Sequence, residues 1–183
     1  DDDRARGKLS AVYAKAFGAE AGLVSPVLTS GTHTLTVALF GVLRPGDTMF
    51  SITGKPYDTL IGIIFGEGNG SLRDFKINYE DVDLVDNDFD FDVIEKRMKE
   101  LKPKMVYIQR SRGYTTRESL SIEKIEKVIK FVKNIQKDVI VMVDNCYGEF
   151  VEEKEPSEVG ADMIVGSLIK NPGGGLAPIG GYI

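Results

Sequence analysis

Two hydrophobic periods alternate along the chain. Leu9, Val12, Tyr13, Ala16 and Phe17 fall at i, i+3, i+4, i+7 and i+8, the apolar face of a helix closed by Gly18. Residues 22–29 read as a short extended segment. Leu35, Ala38, Leu39, Val42 and Leu43 then repeat at helical spacing until Pro45-Gly46 stops them, which puts Ser30-Gly31-Thr32 at a helix start. The pattern predicts strands over 48–52, 73–79, 104–108, 139–143 and 161–166. Between them it predicts a short helix over 60–65 and a helix over 92–101 with Ile94, Met98 and Leu101 on one face. A third helix, capped by Ser119 or Ser121, carries Ile122, Ile125, Val128, Ile129, Val132 and Ile135 in one stripe. Residues 149–158 read as a charged loop or short helix. Runs such as Val139–Val143 are wholly apolar, as in strands covered on both faces. Strand and helix alternation of this kind predicts an α/β protein with three layers, α/β/α, around a mainly parallel sheet with right-handed crossovers.

Composition narrows the reading. With 183 residues, one domain over 1–183 is the expectation. A hydrophobic share of 42% and a charged share of 28% are those of a folded globular chain. The net charge of -5 argues against a nucleic-acid surface, and the acidic runs at Asp1 to Asp3 and over 80–92 read as solvated faces. A single cysteine, Cys146, precludes an internal disulfide, and with His33 as the one histidine no zinc site of the usual nitrogen and sulfur ligands can be assembled. The longest apolar run, 60–65, is far short of the ~20 residues of a membrane span. The expectation is a cytoplasmic protein that binds no metal, membrane or nucleic acid.

In open parallel sheets, ligands bind beyond the carboxyl ends of the strands. The residues predicted there include Ser30-Gly31-Thr32, 55–57, 109–112, Asp144-Asn145 and Ser167 to Lys170. Taken singly, each has an ordinary explanation: Ser30 caps a helix, Asp144 caps a turn, and Lys170 is a loop lysine before Gly173–Gly175. Together they supply an amine for an imine, an acid for a ring nitrogen and an anion cradle at a helix start, the three demands of pyridoxal phosphate. On that reading the three glycines let the backbone pass close to the cofactor.

The stretches Ser30-Gly-Thr-His33, Gly54-Lys-Pro-Tyr-Asp58, Ile108-Gln-Arg-Ser-Arg-Gly-Tyr114, Val143-Asp-Asn-Cys-Tyr-Gly-Glu-Phe150 and Gly166-Ser-Leu-Ile-Lys-Asn-Pro-Gly-Gly-Gly175 resemble the aluminium-resistance protein family. Its members are described as cystathionine β-lyase-like or methionine γ-lyase-like, within the fold-type I pyridoxal-phosphate enzymes. The resemblance implies a transferase-like large domain in which Lys170 carries the cofactor as an imine and Asp144 pairs with the pyridine nitrogen. Ser30, Gly31 and Thr32 would hold the phosphate from the helix start, helped by Ser167. Tyr57, 25 residues after Thr32, falls near the ring that stacks on the cofactor, with His33 as the competitor. Arg110 and Arg112 could hold a substrate carboxylate. Where the lyases have Thr or Ser before the lysine, this chain has Ile169, a departure at one phosphate or imine contact. The implied activity is a carbon–sulfur lyase working on an amino acid by β- or γ-elimination, as a homodimer or homotetramer. A transaminase or aldolase would share the same residues. The chain begins in Asp-Asp-Asp and stops at Tyr182-Ile183 in what reads as the start of a strand, so a fragment lacking a smaller carboxyl-terminal domain, or a non-catalytic binding domain, is also expected to fit.

Overall fold

The computed structural model describes residues 4–183, and Asp1 to Asp3 lie outside them. The order is α1 (Arg4–Ala16), β1 (Val24–Ser25), α2 (Gly31–Val42), β2 (Thr48–Ser51), α3 (Asp58–Phe65), β3 (Asn78–Asp81), α4 (Phe91–Leu101), β4 (Met105–Gln109), α5 (Ile122–Ile135), β5 (Ile140–Asp144), β6 (Met163–Ser167) and β7 (Gly181–Tyr182). A 3-10 turn over Pro156–Val159 supplies the short helix in the charged loop.

The strands form one sheet in the order β1-β7-β6-β5-β4-β2-β3. β3, β2, β4, β5 and β6 are parallel, while β7 pairs antiparallel with both β6 and β1. The period of two along each strand divides the core. Val106, Ile108, Val141 and Val143 join Ile94 and Met98 of α4 and the α5 stripe on one face. Met105, Tyr107, Met142 and Val165 join Leu35 and Leu39 of α2 and Leu60 and Ile64 of α3 on the other. Burial on both faces is why the central runs carry no polar interruption, and it gives the three-layer α/β/α architecture the sequence predicts. Ser121 is the cap of α5, its Oγ accepting the Lys124 N–H at 3.3 Å.

Three expectations shift. The strand expected over 73–79 pairs with β2 only from Asn78 onward, because Asp74 folds the preceding loop around itself. Its carboxylate accepts the N–H groups of Gly68, Asn69 and Gly70 at 3.1, 3.0 and 2.9 Å. The extended segment over 22–29 shrinks to two paired residues, Val24 and Ser25. The apolar face of α1 meets the core only at its end, where Phe17 stacks on Tyr182 at 4.9 Å and Tyr13 lies 6.1 Å from the same ring. Leu9 and Val12 stay 40% and 61% exposed. No helix among the described residues is long and apolar enough to cross a membrane.

Ile125 is fully buried under the sheet. Ile125→Ala is expected to cost about 2–5 kcal/mol in urea unfolding, and Ser121→Ala about 1 kcal/mol.

Candidate active site

Strand register brings the candidate chemistry to one edge. Gln109 pairs with Asp144, and Asp144 with Val165, so β4 and β5 end side by side while β6 runs two residues further, to Ser167. Beside them, α2 begins at Gly31 and α3 at Asp58. A cavity of about 340 Å³ opens there, lined by Ser30, Gly31, Thr32, Tyr57, Ser111, Asp144, Ser167 and Lys170, and by residues with no role in a site assigned from the sequence, among them Thr59, Tyr114, Cys146 and Tyr147.

Asp144 forms the floor. It is 4% exposed, and burial is the main force pushing its carboxyl above the ordinary range, offset by hydrogen bonds and by Lys170. Oδ1 accepts the Cys146 N–H at 3.1 Å and Oδ2 accepts the Tyr107 hydroxyl at 3.2 Å, which fixes the plane of the group. Tyr107 is fully buried, and burial followed by the Asp144 charge keeps its phenol protonated as a donor.

The helix start forms one wall. Ser30 caps α2 by accepting the His33 N–H at 3.1 Å. The N–H groups of Gly31 and Thr32 fall in the first turn, where a helix offers no internal acceptor. Gly31 packs closely, since a Cβ there would lie 3.3 Å from the Ser167 Cβ and would have to push it back by a few tenths of an ångström. The Thr32 hydroxyl meets that of Thr59 at 2.5 Å. His33 is exposed, and its Nδ1 accepts the Thr29 N–H at 3.2 Å, so its ring turns away from the cavity that Tyr57 lines. The Tyr57 N–H is anchored to the Gln109 side chain at 2.7 Å, and its ring lies 5.4 Å from that of Tyr114.

Lys170 faces the cavity from the loop after β6. Its Nζ donates to the Tyr147 hydroxyl at 2.6 Å and lies 4.3 Å from the centre of that ring. The glycines after it act differently from the expectation. A Cβ on Gly173 would fall 1.7 Å from the Leu168 carbonyl oxygen, so this glycine closes the loop on itself, and Gly173–Gly175 do not line the cavity.

The arginines separate. Arg110 is not at the cavity: its side chain is 3% exposed and lies among acceptors of its own chain. It donates to the carbonyls of Leu120 at 3.4 Å and Gly148 at 2.8 Å, to Asn145 Oδ1 at 2.9 Å and to Glu152 at 2.8 Å. The expectation that Arg110 holds a substrate carboxylate therefore meets a side chain already engaged with its own chain and set apart from this cavity. Arg112 is exposed between Ser111 and Gly113, both of which line the cavity. Arg117, which the sequence reading passed over, ties down this loop through the carbonyls of Gln109 at 2.8 Å and Ser111 at 2.5 Å.

Behind the floor, Glu149 is 1% exposed, with Oε1 accepting the Tyr182 hydroxyl at 2.9 Å and Oε2 without a partner. Burial, reinforced by the charges of Asp144 and Glu155, pushes its carboxyl from 4.5 up to about 7.

Compared with known proteins, the chain has the fold of pyridoxal-phosphate lyases. A candidate O-acetylhomoserine (thiol)-lyase of Campylobacter jejuni with N′-pyridoxyl-lysine-5′-monophosphate superposes with a TM-score of 0.75 at 24% identity, over 98% of this chain and 39% of that one. The chain belongs to the methionine gamma-lyase family, whose model matches residues 1–183. It is 58% identical to a candidate cystathionine beta-lyase involved in aluminum resistance from Listeria monocytogenes, over 99% of this chain and 45% of that one, with a TM-score of 0.95. It is 53% identical to a carbon-sulfur lyase involved in aluminum resistance from Clostridium novyi, with a TM-score of 0.93 over 99% of this chain and 44% of that one. YnbB of Bacillus subtilis is 56% identical over 100% of this chain, which spans 44% of the length of that relative.

Two stability measurements follow from the buried charges. Arg110→Ala is expected to cost about 3–5 kcal/mol in urea unfolding, because it strands Glu155 and Asn145 without their cation, whereas exposed Arg112→Ala stays within about 0.5 kcal/mol. Glu149 holds its proton more tightly folded than unfolded, so its contribution is fully present below about pH 4.5 and is lost as pH rises through about 7. Relative to Glu149→Gln, the native protein should lose about 2–3 kcal/mol between pH 4.5 and pH 8.

Proposed function

We propose that the chain is the cofactor-binding portion of a pyridoxal-phosphate-dependent carbon–sulfur lyase acting on a sulfur-containing amino acid. The observation that carries this reading is convergence: the cavity brings together a lysine amine, a buried and oriented carboxyl and an uncovered helix start. The family and the names of its relatives support the lyase class.

The residues fit the group. Ser30, Gly31, Thr32 and Ser167 would hold the phosphate, the first-turn N–H groups and helix dipole of α2 supplying the attraction. Asp144 would pair with the ring nitrogen, and the Tyr107 and Cys146 donors already aim its oxygens. Tyr57 is the better placed of the two candidates for the ring face, because His33 is engaged with Thr29. Lys170 would bind the aldehyde. When bound, the cofactor supplies an electron sink that weakens the bond to hydrogen at the α-carbon of an amino acid.

The chain's own groups then have defined tasks. Burial raises the Asp144 carboxyl while the Cys146 and Tyr107 hydrogen bonds and the Lys170 charge pull it back, so a cationic ring nitrogen placed on it would favour the carboxylate further. The Lys170 amine would be the base for the α-proton of a substrate and would return a proton to the product. Arg112, at the rim, is the remaining arginine for the substrate carboxylate.

Mixing the protein with pyridoxal phosphate should give a visible absorption band, and borohydride should fix the cofactor on Lys170 as read by peptide mapping. An adduct on another residue, or none in folded protein, overturns the assignment. Lys170→Ala should give no adduct. Asp144→Ala should retain the cofactor yet lose on the order of 100-fold in thiol release from a thioether amino acid.

A further inference from the structure

We propose that Tyr147 is the positioning residue for the Lys170 amine, a docking point that holds the amine before the cofactor arrives and takes it back whenever a substrate displaces it. The second half rests on the function proposed above; the first stands on the contact alone.

The geometry is specific. Tyr147 takes a left-handed backbone with φ of 67°, which an L side chain rarely adopts and which the surrounding turn must enforce. That turn is pinned on both sides of it, by the Gly148 N–H on the Asn145 carbonyl at 2.8 Å and by Arg110 on the Gly148 carbonyl at 2.8 Å. The backbone so held presents a phenol oxygen and a ring face to one amine, at 2.6 Å and 4.3 Å. Both features attract a cation, and together they replace water that a half-buried ammonium has given up.

Position supplies the second argument. Tyr147 borders the cavity of about 340 Å³ and also a second one of about 300 Å³ lined by Arg110, Ser119, Ser121 and Glu152. Tyr147 borders both together with Ser111, and Lys170 lines the first cavity but not the second. The amine's hydrogen bond goes to Tyr147, while the neighbouring Asp144 oxygens accept from Tyr107 and Cys146 and feel Lys170 through its charge. An amine released during turnover therefore has a fixed place within the cavity wall, from which it can return to the same atom.

The test begins with cofactor-free protein labelled with ¹³C at lysine Cε. The ε-methylene of Lys170 should show a ring-current shift in the native protein, keep it in Tyr147→Phe and lose it in Tyr147→Leu. Reductive methylation with formaldehyde, quantified at Lys170 by mass mapping, should run about three- to ten-fold faster in Tyr147→Phe, which keeps the ring and loses the hydrogen bond, and at least as fast in Tyr147→Leu. Native labelling rates in both variants, with the methylene resonance unmoved in Tyr147→Leu, overturn the proposal. With pyridoxal phosphate added, borohydride-trappable Lys170 should appear faster in Tyr147→Phe by a similar factor; an unchanged trapping rate overturns the docking role. A native protein that forms no adduct at Lys170 defeats the proposed function and leaves the cofactor-free measurement standing, so the two failures are distinguishable.

Discussion

The arrangement of the site depends on one buried cation. Arg110 leaves the end of β4 and reaches under the turn that follows β5, where it meets Asn145, Gly148 and Glu152, while Asn145 passes the connection to Glu155 at 2.8 Å and Glu155 accepts the Phe150 N–H at 2.7 Å. Two side-chain-bearing residues in that turn, Tyr147 and Phe150, sit in the left-handed region at 67° and 60°. Such conformations persist only where the surroundings over-determine them. Even the glycine between them is dictated by the arginine, since a Cβ on Gly148 would lie 2.4 Å from the Arg110 Cδ. A guanidinium with a fixed fork of donors can satisfy several carbonyls at once, as a lysine at the same place could not.

Above this layer the sheet does the aligning. Parallel strands in register deliver Gln109, Asp144 and Ser167 to one edge without any loop having to reach across the molecule. Gln109 then couples that edge to the cavity walls: its Oε1 accepts the Tyr57 N–H at 2.7 Å, and its Nε2 donates to the Ser111 carbonyl at 3.2 Å. The amine, the carboxyl and the helix start thus come from elements far apart in sequence and are held together by polar groups that are themselves buried.

Much of this was legible in the sequence. The α5 stripe, the apolar β4 and β5 runs and the Ser30 cap follow from local periodicity and capping chemistry, so layers and strand ends could be read directly. Lys170, Asp144 and the start of α2 could be placed on one edge because parallel strands put their carboxyl ends there. What stayed hidden depends on which neighbour a side chain finds. Arg110 and Arg112 look equivalent two residues apart, yet one is buried among acceptors and the other is exposed. Leu9 and Val12 obey the helical period, but nothing in a period says whether the sheet extends beneath them. Tyr147 lay inside a recognised motif three residues after Asp144, and only its unusual backbone turns it toward Lys170.

The antiparallel edge also bears on the order of assembly. Val24 of β1 pairs with Tyr182 of β7, so this pairing joins segments on opposite sides of nearly the whole described chain. During synthesis the parallel strands β2 through β6 can dock as they emerge, but β6 keeps an open edge until Gly181 and Tyr182 have left the ribosome. Until then β1 has no partner strand, and the Phe17 ring lacks the Tyr182 face it packs on. An unpaired edge beside an uncovered aromatic is a template for intermolecular pairing.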